Sequence, residues 1–239
     1  IQSTAASGGG VSITGVSDGN VGFHNRINSG RTQILSLAGD ITITTNSSST
    51  SGGGFAVRSQ NGFYVGERFD DTAVNTVVPV TGFIGNIIFN VKDEIDSEDA
   101  LILRSATTGG GDITINANRP AQGAGSRSIA TSGAVTIQPT DGDFSSALTI
   151  ASNWSYDSAI SSLTIGKSAS VTNGTAVNPI NLVPNISIAG PISVYGNAIV
   201  LSGNLESTAS GESIIVQSNG AGSTNNNGFL ILKSGKNIT

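Results

Sequence analysis

Gly111-Asp112-Ile113-Thr114-Ile115 repeats, residue for residue, the pentapeptide Gly39-Asp40-Ile41-Thr42-Ile43 that stands 72 positions earlier. In a strand the first and third side chains of Ile-Thr-Ile share one face and the hydroxyl takes the other, so each copy reads as a small half-buried strand. The triplet returns as Val11-Ser12-Ile13, Val135-Thr136-Ile137, Leu148-Thr149-Ile150, Leu163-Thr164-Ile165 and Ile186-Ser187-Ile188. Gaps of 13, 15, 22 and 23 residues between closing isoleucines suit a coil of roughly 20 to 25 residues with two or three strands. Ile113 and Ile115 are expected in the core and Thr114 outside.

Glycine clusters separate the strands: Ser7-Gly8-Gly9-Gly10-Val11, Ser51-Gly52-Gly53-Gly54-Phe55 and Thr108-Gly109-Gly110-Gly111-Asp112. Glycine tolerates the positive φ of tight corners. Ser213-Ile214-Ile215-Val216-Gln217-Ser218 and Phe229-Leu230-Ile231-Leu232 repeat the scheme of strand, corner and strand, and Gly235-Lys236-Asn237-Ile238-Thr239 resembles the opening of one more. One coil cannot bury its apolar face alone, so coils must stack. The expectation is an all-β parallel β-helix, or β-solenoid, of roughly ten coils and on the order of 50 Å long. A β-sandwich is the alternative fold, which an Asn61-Gly62 hairpin turn would support.

Composition agrees. Charged residues are 11% of the 239, against roughly 25% in ordinary domains. With 37% hydrophobic residues, 27 of them Ile, the chain carries too much β-branched apolar surface to stay disordered. The absence of Cys excludes disulfides and thiolate metal sites. No apolar run of membrane-spanning length occurs, Ile1 opens no signal peptide, and the lack of Met points to a processed chain or a fragment. A net charge of −5, with its 11 basic residues thinly spread, offers no stripe for a phosphate backbone, so nucleic acid is not an expected partner.

The chain reads as one solenoid segment over 1-239 with a charged, irregular insertion at about 58-104. That stretch holds 12 of the 27 charges, and with Phe55 it collects five of the eight Phe. A long loop with its own apolar cluster is expected, or a partner-binding protrusion. The segment from Lys92 to Asp99 is expected as an exposed loop; its Asp93, Glu94, Asp96, Glu98 and Asp99 are the candidates for calcium, which takes six to eight oxygen ligands.

No catalytic residues are assigned. A nucleophilic triad needs a base, and the single His24 has no Cys or nucleophile elbow beside it. One His builds no zinc site. The enzyme alternative is a polysaccharide-binding or polysaccharide-cleaving β-helix, with Asp70 and Asp71 or Asp141 and Asp143 as paired carboxylates. In a strand only the second pair would share a face. Sugar-stacking aromatics are few: Trp154, Tyr64, Tyr156 and Tyr195. A third alternative is an ice-binding solenoid, whose threonine ladder would begin at Thr42, Thr44 and Thr45.

Leu163-Thr164-Ile165-Gly166-Lys167-Ser168, Ile186-Ser187-Ile188-Ala189-Gly190-Pro191-Ile192-Ser193-Val194-Tyr195-Gly196 and Gly203-Asn204-Leu205-Glu206-Ser207-Thr208 resemble the repeat region of very large adhesin-like surface proteins of Bacteroidota. The shorter Gly-Asp-Ile-Thr-Ile units resemble filamentous-haemagglutinin-type β-helices. The first resemblance covers about residues 160 to 218 well and the rest in style. It implies type IX secretion, an extracellular or cell-surface location, a part in adhesion or gliding, and no catalytic residues within the repeats. The implied partners are surfaces, polysaccharide and further repeats of a parent chain that would carry a C-terminal sorting domain. It also implies O-glycosylation at Asp-Ser/Thr followed by a small or apolar residue, which Asp71-Thr72-Ala73 and Asp157-Ser158-Ala159 match, making Thr72 and Ser158 the candidates.

Overall fold

A computed structural model describes residues 1–3, 9–15, 21–25, 32–36, 39–45, 55–59, 62–66, 68–70, 76–78, 84–122, 124–219 and 230–232. The chain is a parallel β-solenoid. Its first face stacks the strands Val11–Gly15, Ile41–Thr45, Ile87–Ser97, Ile113–Gln122, Ala134–Gln138, Ser162–Ile165, Ile192–Gly196 and Ile214–Ser218. The next place along each coil holds Val21–Asn25, Phe55–Ser59 and the far half of Ile87–Ser97, and in later coils Leu148–Ile150, Ile180–Leu182, Ile199–Leu201 and Leu230–Leu232. The third place begins with Gln2–Ser3 and runs through Thr32–Ser36, Phe63–Val65, Leu101–Arg104 and Arg127–Ala130 to Trp154–Tyr156. Ile186–Ile188 and Leu205–Ser207 take that place in the last coils.

Five of the seven triplets stack on the first face; Leu148-Thr149-Ile150 and Ile186-Ser187-Ile188 lie on the second and third. The short gaps in the sequence are steps around one coil, not from coil to coil. The register partners Val11, Ile41, Ile87, Ile113, Val135, Leu163, Ile192 and Ile214 lie 30, 46, 26, 22, 28, 29 and 22 residues apart. Coils are therefore mostly longer than the sequence reading allowed. The described stack has eight turns where roughly ten were expected, and its first face is about 34 Å long at a strand spacing of about 4.8 Å.

The 46-residue turn carries the excess of the irregular region. It contains the antiparallel hairpin Arg68–Asp70 with Thr76–Val78, whose tip lies outside the described residues. Residues 87–104 rejoin the regular coil. Asn61 lies outside the described residues, but the strand that follows, Phe63–Val65, pairs in parallel with Thr32–Ser36 and Leu101–Arg104 and so belongs to the solenoid and not to a sandwich hairpin.

The core is one column. Ile41, Ile87, Ile113, Val135, Leu163 and Ile192 form one inward row, with Ile43, Phe89, Ile115, Ile137, Ile165 and Val194 beside it, and all are fully buried. Burying each side chain contributes about 1.5–3 kcal/mol. Thr114 is half-buried on the outer side, as the alternation requires.

Polar side chains close the corners. Asp40 Oδ1 accepts the Asn86 N–H at 2.8 Å, Asn86 Oδ1 the Asp112 N–H at 2.7 Å, and Asp112 Oδ1 the Ala134 N–H at 2.8 Å. Each coil thus caps the start of the next, which is what the Asp of Gly-Asp-Ile-Thr-Ile does. Buried hydroxyls hold the glycine clusters: Ser105 Oγ donates to the Gly85 carbonyl at 3.1 Å and accepts the Gly111 N–H at 2.9 Å. Thr131 Oγ1 repeats this one coil on, to the Gly111 carbonyl at 2.6 Å and from the Gly133 N–H at 2.9 Å. Backbone groups taken from water at a corner need such partners.

Candidate functional site

The acidic segment is not the exposed loop expected from its charge. Residues 92–97 form the second half of the strand Ile87–Ser97, which bends after Val91 through two register shifts. Lys92, Glu98 and Asp99 are exposed, but Glu94, Asp96 and Ser97 are buried. The compensating charges come from later in the chain. Arg119, in register with Glu94, donates from Nη1 to Glu94 Oε2 at 2.7 Å, and from Nε and Nη2 to Asp93 Oδ1 at 3.2 and 3.1 Å. A guanidinium fork suits two carboxylates, and this pairing lets acids sit in the wall of the solenoid. Of the five calcium candidates, then, Asp93 and Glu94 face Arg119, Asp96 is buried, and Glu98 and Asp99 have exposed side chains. Among the described residues no three His, Cys, Asp or Glu side chains gather as a metal would need.

Arg127 occupies a core position. It stands in register between Leu101 and Trp154 and has 1% of its surface exposed. Its guanidinium reaches the corner carbonyls of two coils: Nη1 donates to the carbonyls of Asp99, Gly125 and Ser126 at 2.9, 2.7 and 3.3 Å, and Nη2 to that of Ser97 at 2.8 Å. Burial holds its pKa below the usual arginine value, and the nearby Asp96 acts in the opposite direction. Asn153 Nδ2 adds hydrogen bonds to the carbonyls of Ala124 and Gly125 at 3.3 and 2.5 Å. The coils meet closely here, and a Cβ on Gly125 would overlap the Asp99 carbonyl. The sequence held the signal, since Arg127 lies two residues before Ile129 and so on the same inward side.

Of the carboxylates weighed for sugar hydrolysis, Asp141 and Asp143 are tied into corners. Asp143 Oδ2 accepts the N–H groups of Val177 and Asn178 at 2.8 Å each and Asn178 Nδ2 at 3.1 Å. Asp141 Oδ2 accepts Asn118 Nδ2 at 2.8 Å, and Lys167 Nζ donates to the Asp141 carbonyl at 2.8 Å. Asp70 lies in the hairpin, while Asp71 and Thr72 fall outside the described residues. His24 lies in the strand Val21–Asn25, in register with Arg58. Ser158 is exposed in the turn after Trp154–Tyr156, where Asp157 Oδ1 accepts the Ala159 N–H at 2.8 Å. Trp154–Tyr156 is a strand, with Trp154 buried and its ring stacked on that of Tyr156 at a centroid distance of 6.2 Å.

The outer surface of the first face is its most regular feature. One row runs Ser12, Thr42, Ile88, Thr114, Thr136, Thr164, Ser193 and Ile215. Beside it lie Thr14, Thr44, Asn90, Asn116 and Gln138, then Tyr195 and Gln217. No residue of either row carries a charge. Asn116 Nδ2 donates to Asn90 Oδ1 at 2.8 Å and Gln138 Nε2 to Asn116 Oδ1 at 2.7 Å, so the amides form a ladder. Thr45, expected to extend the threonine ladder, is buried because a strand position two beyond Ile43 points inward.

No protein-family model matches the chain, and no curated protein or solved structure is significantly similar to it.

Proposed function

We propose that this chain is a non-catalytic stalk segment of a secreted bacterial surface protein, of the adhesin-like type that its repeats resemble. The observation that carries the reading is the unbroken column of apolar side chains beneath eight parallel strands, with corners closed by side-chain hydrogen bonds. A stack whose coils each contact only their neighbours lengthens by adding coils, which is how a spacer is built. Asp141 and Asp143, one of the two carboxylate pairs that hydrolysis could use, accept hydrogen bonds at corners, which favours a structural part for them.

Protease shaving of intact cells of the source organism tests this. Peptides from residues 84–219 should be released from whole cells, and a panel of polysaccharides should show no new reducing ends on incubation with the chain. Peptides recovered only after lysis, or glycan cleavage lost in Asp141→Asn or Asp143→Asn, would overturn the proposal. Glycans at Ser158 or Thr72 belong to the same reading, and mass increments lost in Ser158→Ala or Thr72→Ala would identify them.

A further inference from the structure

We propose that the outer surface of the first face is a docking surface for an uncharged, extended polysaccharide. The inference rests on the extracellular reading above and adds the contact that such a segment would make.

Three observations carry it. The two outward rows, of eight and seven residues, are free of charge, whereas the adjoining bend of Ile87–Ser97 is crowded with it. An ionic polymer finds no counter-charge on the rows, and a neutral one leaves no buried ion unpaired. Next, the hydroxyls of Thr42, Thr114, Thr136, Thr164 and Ser193 make no hydrogen bond among the described residues, although each is half-exposed. A hydroxyl is both donor and acceptor, as each sugar hydroxyl is, so the row can meet a glycan without a fixed polarity. Finally, the amides of Asn90, Asn116 and Gln138 are held by one another, and Asn116 and Gln138 each keep one N–H, and Asn90 both, for an outside acceptor. Groups fixed before the ligand arrives lose little entropy when it binds.

Geometry fits an extended polymer. Partners recur along the stack every 4.8 Å or so, close to the rise of one sugar ring in an extended glycan, so a chain lying along the stack meets a hydroxyl at each strand from Thr114 through Thr136 and Thr164 to Ser193. Tyr195, half-exposed beside the amide row, supplies an aromatic surface. An ordered water lattice is the competing occupant of a hydroxyl-bearing sheet. Ile88 and Ile215 interrupt the hydroxyl row, and amides replace hydroxyls in the second, which favours the glycan.

The test is retention of the purified chain on microcrystalline cellulose and insoluble chitin, two neutral extended glycans, with an alginate gel as the charged comparison. Thr136→Lys, which places a charge at the middle of the face, should weaken retention at least tenfold. Thr149→Lys, at an exposed position of the second face, should leave it unchanged, with melting curves checking that both variants fold. Absence of retention on both neutral glycans, equal loss in the two variants, or preference for alginate would each overturn the proposal. So would thermal hysteresis that Thr136→Lys abolishes in a chain that neither glycan retains, which would assign the face to ice. Retention is measured on isolated protein and shaving on cells, so failure of the docking face and failure of the stalk reading are separable.

Discussion

At the scale of single residues, burial decides what a substitution does. Ile115 is fully buried between Phe89 and Ile137, so Ile115→Asp should cost about 3 kcal/mol or more by placing a charge in the column. Thr114→Ser, on the outer side, should stay within about 0.5 kcal/mol, and urea unfolding of the two variants checks the alternation directly. Tyr156 offers the opposite sign. Its hydroxyl is buried and has no hydrogen-bond partner in the described structure. Tyr156→Phe should therefore stabilise by about 1 kcal/mol, since it removes an unsatisfied polar group. The same burial raises the phenol's pKa above its usual 10.0. A raised folded-state pKa means that this contribution to stability is complete below the unfolded value and is lost as pH rises past it. Unfolding free energy should fall above about pH 10 in the parent chain, and less steeply in Tyr156→Phe.

Among elements, the bend of Ile87–Ser97 and the corner around Arg127 bear the unusual chemistry. Arg127 satisfies carbonyls on two coils, so Arg127→Ala should cost on the order of 3 kcal/mol, measured by thermal or urea unfolding. Arg127→Lys should recover only part of that, because one ammonium cannot span four carbonyls as a planar fork does. Gly125→Ala should be comparably damaging, since the new methyl would meet the backbone of the coil above. This corner marks the limit of what local sequence discloses. The run from Asp93 to Asp99 is read as a solvated loop when its charges are counted alone. Arg119 pairs with it from one coil later, and sequence distance hides that neighbour. The strand alternation of Ile113-Thr114-Ile115, by contrast, is a local property, and the strand and its inward face follow from it without any knowledge of partners.

In the whole molecule, the solenoid was legible because repeated strands with one apolar side have few other ways to bury it. Its pitch was not. Triplets on three different faces look alike in sequence, so their gaps mix steps around a coil with steps along the stack. The hairpin excursion lengthens one turn further. The hydroxyl row was visible only at its start, because the strands that extend it are recognised as neighbours once their register is known. The central claim is that register, and the chain's lack of cysteine makes it directly measurable. In the double variant Thr114→Cys with Thr136→Cys, the two outward positions are register partners on adjacent coils, within reach of a disulfide. Mild oxidation followed by peptide mass mapping should show the 114–136 link in most molecules, and no link in Thr114→Cys with Thr164→Cys, whose positions are two coils apart. A chain that links 114 to 164, or fails to link 114 to 136 while remaining folded, would contradict the parallel in-register stack.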